Sequence, residues 1–175
     1  HILANIYSTG FHIPKDPEAA VRWLERAALA DDAQAQHRLG KAAQRIRSLN
    51  IEANLELARE WYSLSAEQDY LRAMRAMAKS FLRGTSENRD WELARDWLLL
   101  ADESGDKEAP YMLASYAVRN PGAFPDLEEG ESLFERAAER GNMKARDVLN
   151  TAKLKNLSLL EASRHVMSTP YEERY

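Results

Sequence analysis

The chain has 175 residues, enough for one domain with its own core, and its 45% hydrophobic and 30% charged content reads as soluble and globular. A formal net charge of −4 sets a general nucleic-acid binder back, because such proteins are more often basic overall, so any basic surface must be local. The absence of cysteine excludes disulfides and thiolate–metal sites, and no apolar run approaches the 18 residues of a membrane span, the longest clear one being WLLLA.

The chain opens on HILANIY, which already reads as the middle of a helix; an N-terminally trimmed chain is expected, and no signal peptide is visible. After the loop STGFHIPKD, Asp16 is a candidate cap and Pro17 a first helical residue, and a helix follows through Ala20, Trp23 and the small pair Ala27-Ala28. The next helix carries Ala35 and Leu39-Gly40, and the loop IRSLNIEAN leads to a cap candidate at Asn54 and a helix with Ala58, Trp61 and Ser65-Ala66. LRAMRAMAKSFLRG then repeats the pattern of the Ala35 helix as Ala73, Met77-Ala78 and Phe81. Asp90 is expected to cap a helix with Ala94, Trp97 and Ala101-Asp102; ESGDKEA places Gly105 at a helix stop, and Ala109, Leu113-Ala114 and Tyr116 follow. Asp126, with Glu129 three residues on, caps a helix through Gly130, Leu133 and Ala137-Ala138. ERGNMKA supplies the stop Gly141, and Ala145 and Leu149-Asn150 close the series. The anchors Ala35, Ala73, Ala109 and Ala145 lie 38, 36 and 36 residues apart, and Ala20, Ala58, Ala94 and Gly130 keep the same steps.

One helix pair cannot bury its apolar face alone, so repeated pairs must stack into an α-solenoid with nearest-neighbour packing. The units run at about 1–32, 33–70, 71–106, 107–142 and 143–153 onward, with residues 154–175 as a C-terminal capping helix and tail. LSLLEASRHVMS is that last helix, stopping before Pro170; Leu157, Leu159 and Leu160 equally suit a further continuation. Asp102 in place of a second alanine, Gly130 in place of a helix alanine and Ala43 in place of an aromatic are read as departures that weaken single units.

The stretches IYSTGFHIPKDPEAAVRWLERAALADDAQAQHRLG and YMLASYAVRNPGAFPDLEEGESLFERAAERGNMKA resemble the Sel-one-like repeat (SLR), a relative of the tetratricopeptide repeat. The resemblance covers residues 1–153 and implies an all-α, right-handed superhelix of about four to five helix-turn-helix units. It also implies a non-catalytic interaction scaffold or adaptor of bacterial origin, supporting an envelope, secretion or exopolysaccharide complex. A periplasmic or envelope-associated location is expected on that basis. The alternative it carries is an immunity or inhibitor protein that neutralises a secreted effector such as a phospholipase; a nucleic-acid adaptor is third.

Chemistry is sparse in the sequence. His1, His12, His37 and His165 are far apart with no HExxH-like spacing, and DESGDKE lacks the alternating ligands of a calcium loop. There is no phosphate-cradling glycine-rich loop and no nucleophile elbow. No catalytic residue, metal ligand or cofactor is assigned.

By analogy with tetratricopeptide arrays, the first helix of each pair lines a concave groove. The groove slots hold His37, Lys41 and Arg45, then Arg75, Lys79 and Arg83, then Tyr111, Ser115 and Arg119, and finally Asp147, Thr151 and Lys155. Spacing by four keeps each set on one helical face, and Arg45, Arg83, Arg119 and Lys155 form a ladder across four units. Two accounts remain open: an ordinary solvated face pairing with nearby acids, or a basic groove for an acidic or carboxylate-terminated segment of a protein partner. Nucleic acid would call for more aromatics, and Tyr111 alone sits in these slots.

Overall fold

Small residues at every anchor let helices approach closely, and in the structure Ala35, Ala73, Ala109 and Ala145 have no exposed surface. The computed structural model describes residues 2–9, 14, 16–45, 51–83, 89–120 and 127–168, the side chains of 17, 51–53 and 127–129 aside. Among these the elements are helical throughout: α1 (Ile2–Thr9), α2 (Pro17–Leu29), α3 (Ala33–Ala43), α4 (Ile51–Ala66), α5 (Leu71–Phe81), α6 (Trp91–Glu103), α7 (Ala109–Arg119), α8 (Leu127–Glu139), α9 (Met143–Lys155) and α10 (Leu159–Ser168). The chain is an α-solenoid of helical hairpins in two compact units, His1–Trp97 and Leu98–Tyr175.

In the N-terminal unit α1 packs on α2, α2 on α3, α3 on α4, and α4 and α3 on α5. One cluster joins Ala4, Leu24, Ala28 and Ala35 beneath Trp23, Leu39 and Trp61; a second joins Ala43, Ala58, Tyr62 and Met77 beneath Phe81 and Trp97. The tryptophans are only partly buried. The buried bulky residue is the next one along, as Leu24, Tyr62, Leu98 and Phe134, and the last three are fully enclosed. Tyr62 fits because it faces Gly40: a Cβ on that glycine would lie 2.5 Å from Tyr62 Cε1 and 3.0 Å from the Ala58 carbonyl oxygen.

The turns between pairs follow one design. Asp31, Asp69, Gly105 and Gly141 share a left-handed slot, with φ of 57°, 56°, 89° and 88°. The next residue's N–H closes the turn onto a carbonyl five residues back: Asp32 to Ala27, Tyr70 to Ser65, Asp106 to Ala101 and Asn142 to Ala137, at 2.9–3.3 Å. The side chains of Asp32, Asp106 and Asn142 then cap the following helix, accepting from the N–H groups of Ala35, Ala109 and Ala145. Sequence reading identified Gly105 and Gly141 but neither the aspartates of the same slot nor these caps.

Asp16 and Asp90 cap α2 and α6 as expected, accepting from Ala19 and Leu93 at 2.8 and 2.9 Å. Asn54 does not cap. It lies inside α4, which starts at Ile51, so at least part of the longer 38-residue step extends the helix rather than the loop. The expected cap at Asp126 and the stop before Pro170 lie outside the described residues, as do most of STGFHIPKD and Gly84.

In the C-terminal unit α7 packs on α8, α8 on α9, and α9 on α10. Asn156, at φ 51°, ends α9 in the left-handed region. Two residues later Ser158 and Glu161 form a reciprocal capping box: Ser158 N–H donates to Glu161 Oε2 at 3.0 Å, and the Ser158 Oγ accepts from the Glu161 N–H at 3.4 Å. These Ser158 hydrogen bonds hold the Glu161 carboxyl below its usual range. α10 then turns back against α9 and reaches α7.

Candidate interaction faces

In the N-terminal unit α3 and α5 lie side by side and bring together two of the predicted sets. Lys41, Arg45, Lys79 and Arg83 are exposed, while His37 and Arg75 are half-buried. The His37 ring packs 5.7 Å from that of Tyr62 and 5.4 Å from that of Tyr70. Burial is the largest influence on His37, followed by the charges of Lys41, Arg72 and Arg75, and together they push its pKa down to about 4. The imidazole is therefore neutral at physiological pH, and the positive character of this face belongs to the lysines and arginines. The Tyr62 phenol is pushed up to about 12 by burial, against the opposing pull of Arg83 and Arg45.

Sequence reasoning missed Tyr70 and Arg72 as members of this face. Tyr70 carried a signal: it stands three residues before Ala73, the slot where the other turns have Asp32, Asp106 and Asn142, and it makes no side-chain cap. Behind the face, the guanidinium of Arg59 stacks 4.3 Å over Phe81 and donates to Ser80 Oγ and O at 3.1 and 3.2 Å, tying α4 to the end of α5.

The C-terminal unit arranges the same slots differently. Tyr111, Ser115, Asp147 and Thr151 are buried, whereas Arg119 and Lys155 are exposed. Tyr111 packs edge-on to Phe134 at 6.0 Å, repeating the His37–Tyr62 pairing of the other unit. Arg119 Nη2 donates to Met167 Sδ and Lys155 Nζ lies 2.8 Å from His165 Nε2, so both cations engage α10.

Asp102 is also not the defect the sequence suggested. Its carboxylate, 4% exposed, accepts from Arg136 Nη1 at 2.6 Å and from Arg140 Nη1. Arg140 Nη1 further donates to the carbonyls of Asp102 and Asp106 at 3.0 and 3.2 Å. The N-terminal unit satisfies the matching carbonyl, that of Ala28, with Gln36 Nε2 at 3.1 Å, and Gln68 in turn donates to Gln36 Oε1 at 2.8 Å. These polar clusters join one helical pair to the next.

Among the described residues no three His, Asp, Glu or Cys side chains group as metal ligands, and no helix is long and apolar enough to cross a membrane. An open recess of about 450 Å³ beside α1 and α2 is lined by Ile2, Leu3, Trp23, Arg26, Ala27 and Asp32. Its polar groups have structural tasks, Asp32 capping α3 and Arg26 stacking 5.0 Å over Trp23.

The Sel1 repeat family model matches residues 1–32, 33–70, 71–106 and 108–142, in step with the helical pairs. A Sel1 repeat protein from Oxalobacter formigenes has a similar solved structure, with TM-score 0.73 and 21% identity over 95% of this chain and 69% of that one. The c5321 protective antigen of uropathogenic Escherichia coli strains, which displays an SLR fold, aligns with TM-score 0.47 and 23% identity over 95% of this chain and 44% of that one. No curated protein matches the sequence. Sel1 repeats generally mediate protein–protein contact and are generally non-catalytic. With four repeats spanning most of its length, the chain belongs to the Sel1 repeat family.

Proposed function

We propose that the chain is a non-catalytic interaction scaffold whose N-terminal unit holds an acidic or carboxylate-terminated segment of a partner protein along α3 and α5. The observation that carries this is the gathering of Lys41, Arg72 and Arg75 around a half-buried, neutral His37, with Tyr70 beside it. Several cations on one face of an acidic chain steer acidic partners, and an arginine fork pairs with carboxylate more strongly than with a neutral acceptor. The setting we propose is a bacterial envelope or secretion assembly, the context that the family resemblance implies.

The test is a pull-down with the chain and with its Lys41→Glu/Arg83→Glu variant, followed by affinity measurement on the captured protein. Charge reversal at two exposed positions is expected to weaken binding about tenfold or more, with steeper loss in salt. Undiminished affinity, with the helical circular dichroism intact, would sink the reading. A single dominant hydrolase lost on charge reversal would favour an immunity protein over a scaffold bridging several partners, and salt-sensitive retention of nucleic acid would favour the adaptor.

A further inference from the structure

The two units bury the first two slots of each set to different extents, while the third slot is exposed in both. Lys41 and Lys79 reach solvent, and His37 and Arg75 are half-buried; their counterparts in the C-terminal unit, Ser115, Thr151, Tyr111 and Asp147, are buried. What distinguishes the C-terminal unit is α10. It packs on α9 and α7, the two first helices of their pairs, which α8 also joins, as α4 joins α3 and α5 in the N-terminal unit.

α10 is a well-packed but poorly matched occupant. Its apolar side is enclosed, Ala162 and Val166 having 0% and 1% exposure. Its polar complementarity is weak. The Tyr111 and Ser115 hydroxyls of α7 and the Ser163 hydroxyl of α10 are all buried with no hydrogen-bond partner among the described residues. Opposite Arg119 the helix offers a thioether, and opposite Lys155 an imidazole nitrogen. Both donors are already charged, and a carboxylate in either place would add a full opposite charge and, opposite Arg119, a second parallel bond.

We propose that the α7–α9 face is a helix-binding groove that α10 occupies in cis, and that its partner is a carboxylate-bearing amphipathic helix of another protein, which displaces α10. The carboxylates of that helix meet Arg119 and Lys155, where α10 offers a thioether and an imidazole. The three residues between α9 and α10 keep the cis helix at high effective concentration, so only a better-matched helix enters. This rests on reading the first helices as the binding face, as the proposed function does, but uses none of the N-terminal basic residues.

The probe is a fluorescein-labelled peptide of residues 157–168 carrying His165→Glu and Met167→Glu, titrated by anisotropy against the full chain and its Val166→Asp variant, which places a charge at an enclosed position to detach α10. The peptide is expected to bind the variant at least tenfold more tightly than the unmodified chain, and adding Arg119→Glu to the variant should reverse that gain. Equal binding to both chains, or none, while hydrogen exchange shows α7–α9 still protected, overturns the proposal. Where Val166→Asp strips protection from α7–α9 as well, the same two glutamates placed in the chain itself decide. Amide exchange in α10 should slow about tenfold as the matched occupant holds, and unchanged or faster exchange refutes the proposal. Both arms read the C-terminal unit, so they succeed or fail independently of the Lys41/Arg83 experiment.

Discussion

Gly40→Ala is expected to destabilise the chain even though alanine is the better helix former. Alanine in a helix interior gains about 1 kcal/mol over glycine. At Gly130 in α8 that gain should go unopposed, because a Cβ there meets only Val118 Cγ2 at 3.5 Å, an ordinary contact. At Gly40 a Cβ would fall 2.5 and 2.7 Å from Tyr62 Cε1 and Cδ1 and 3.0 Å from the Ala58 carbonyl oxygen. The ring is 1% exposed and packed against the tilted ring of His37, which hems it in. The carbonyl belongs to the backbone of α4, so α3 and α4 would have to separate. Overpacking of this kind costs about 1–3 kcal/mol, which leaves a net loss of up to about 2 kcal/mol at Gly40 and a gain of about 1 kcal/mol at Gly130. Urea denaturation followed by circular dichroism reads both as opposite shifts of the midpoint at constant slope. Tyr62→Leu installs the residue found in the same slot as Leu24 and Leu98, and in the Gly40→Ala background it should relieve the clash, giving a coupling of about 1–2 kcal/mol in a double-mutant cycle. Gly40→Ala stabilising as much as Gly130→Ala, or a cycle that is simply additive, would refute the reasoning.

The repeat was legible because each unit solves one packing problem with the same residue types. Ala35, Ala73, Ala109 and Ala145 are small since a neighbouring helix lies against each of them, and all four are fully enclosed. Periodicity found the anchors but misplaced some details around them. Trp23, Trp61 and Trp97 mark the repeat, yet the residue after each of them is the better enclosed one, because a large indole at the helix edge keeps part of its surface in water. Asn54 looked like a cap by its distance from Ala58, but a helix start is decided by local terms of about 1 kcal/mol, and α4 begins three residues earlier. Asp31 and Asp69 were invisible as turn residues because the left-handed slot shows itself plainly only where glycine fills it.

The candidate faces were legible as slots and not as surfaces. Position within a repeat says which way a side chain leaves its helix; it does not say what lies across from it. Tyr70 reaches His37 from a turn, and α10 reaches α7 from 40 residues further along the chain. Neither meeting leaves a trace in a 36-residue period. Asp102 failed in the same manner. Alignment made it a lost alanine, while the arginines that hold it stand 34 and 38 residues away.

Two further outcomes follow from burial and charge. His37 titrates at about 4 in the folded chain against 6.5 for a free imidazole, so the unfolded state takes up the proton first; stability is full above pH 6.5 and falls as pH drops toward 4. In His37→Gln the loss of urea midpoint between about pH 7 and 4.5 should shrink, and an equal loss in both chains would contradict the assignment. Around Asp102 the cost depends on which partner is removed. The carboxylate is 4% exposed, whereas the Arg136 and Arg140 side chains are 44% and 34% exposed. Arg136→Ala/Arg140→Ala strands an anion with no route to water and should cost about 3–5 kcal/mol. Either single arginine change should cost less, because the other cation stays in place. Asp102→Ala frees two guanidiniums that can turn to solvent, and Arg140 keeps its bonds to the carbonyls of residues 102 and 106. It also installs the alanine that the slot carries as Ala28, Ala66 and Ala138, so its cost should be about 1 kcal/mol or less. Urea midpoints in the order Asp102→Ala, single arginine, double arginine, from least to most destabilised, follow from that asymmetry; equal losses at the two ends would show that the pair is stabilised by contacts other than the buried charge.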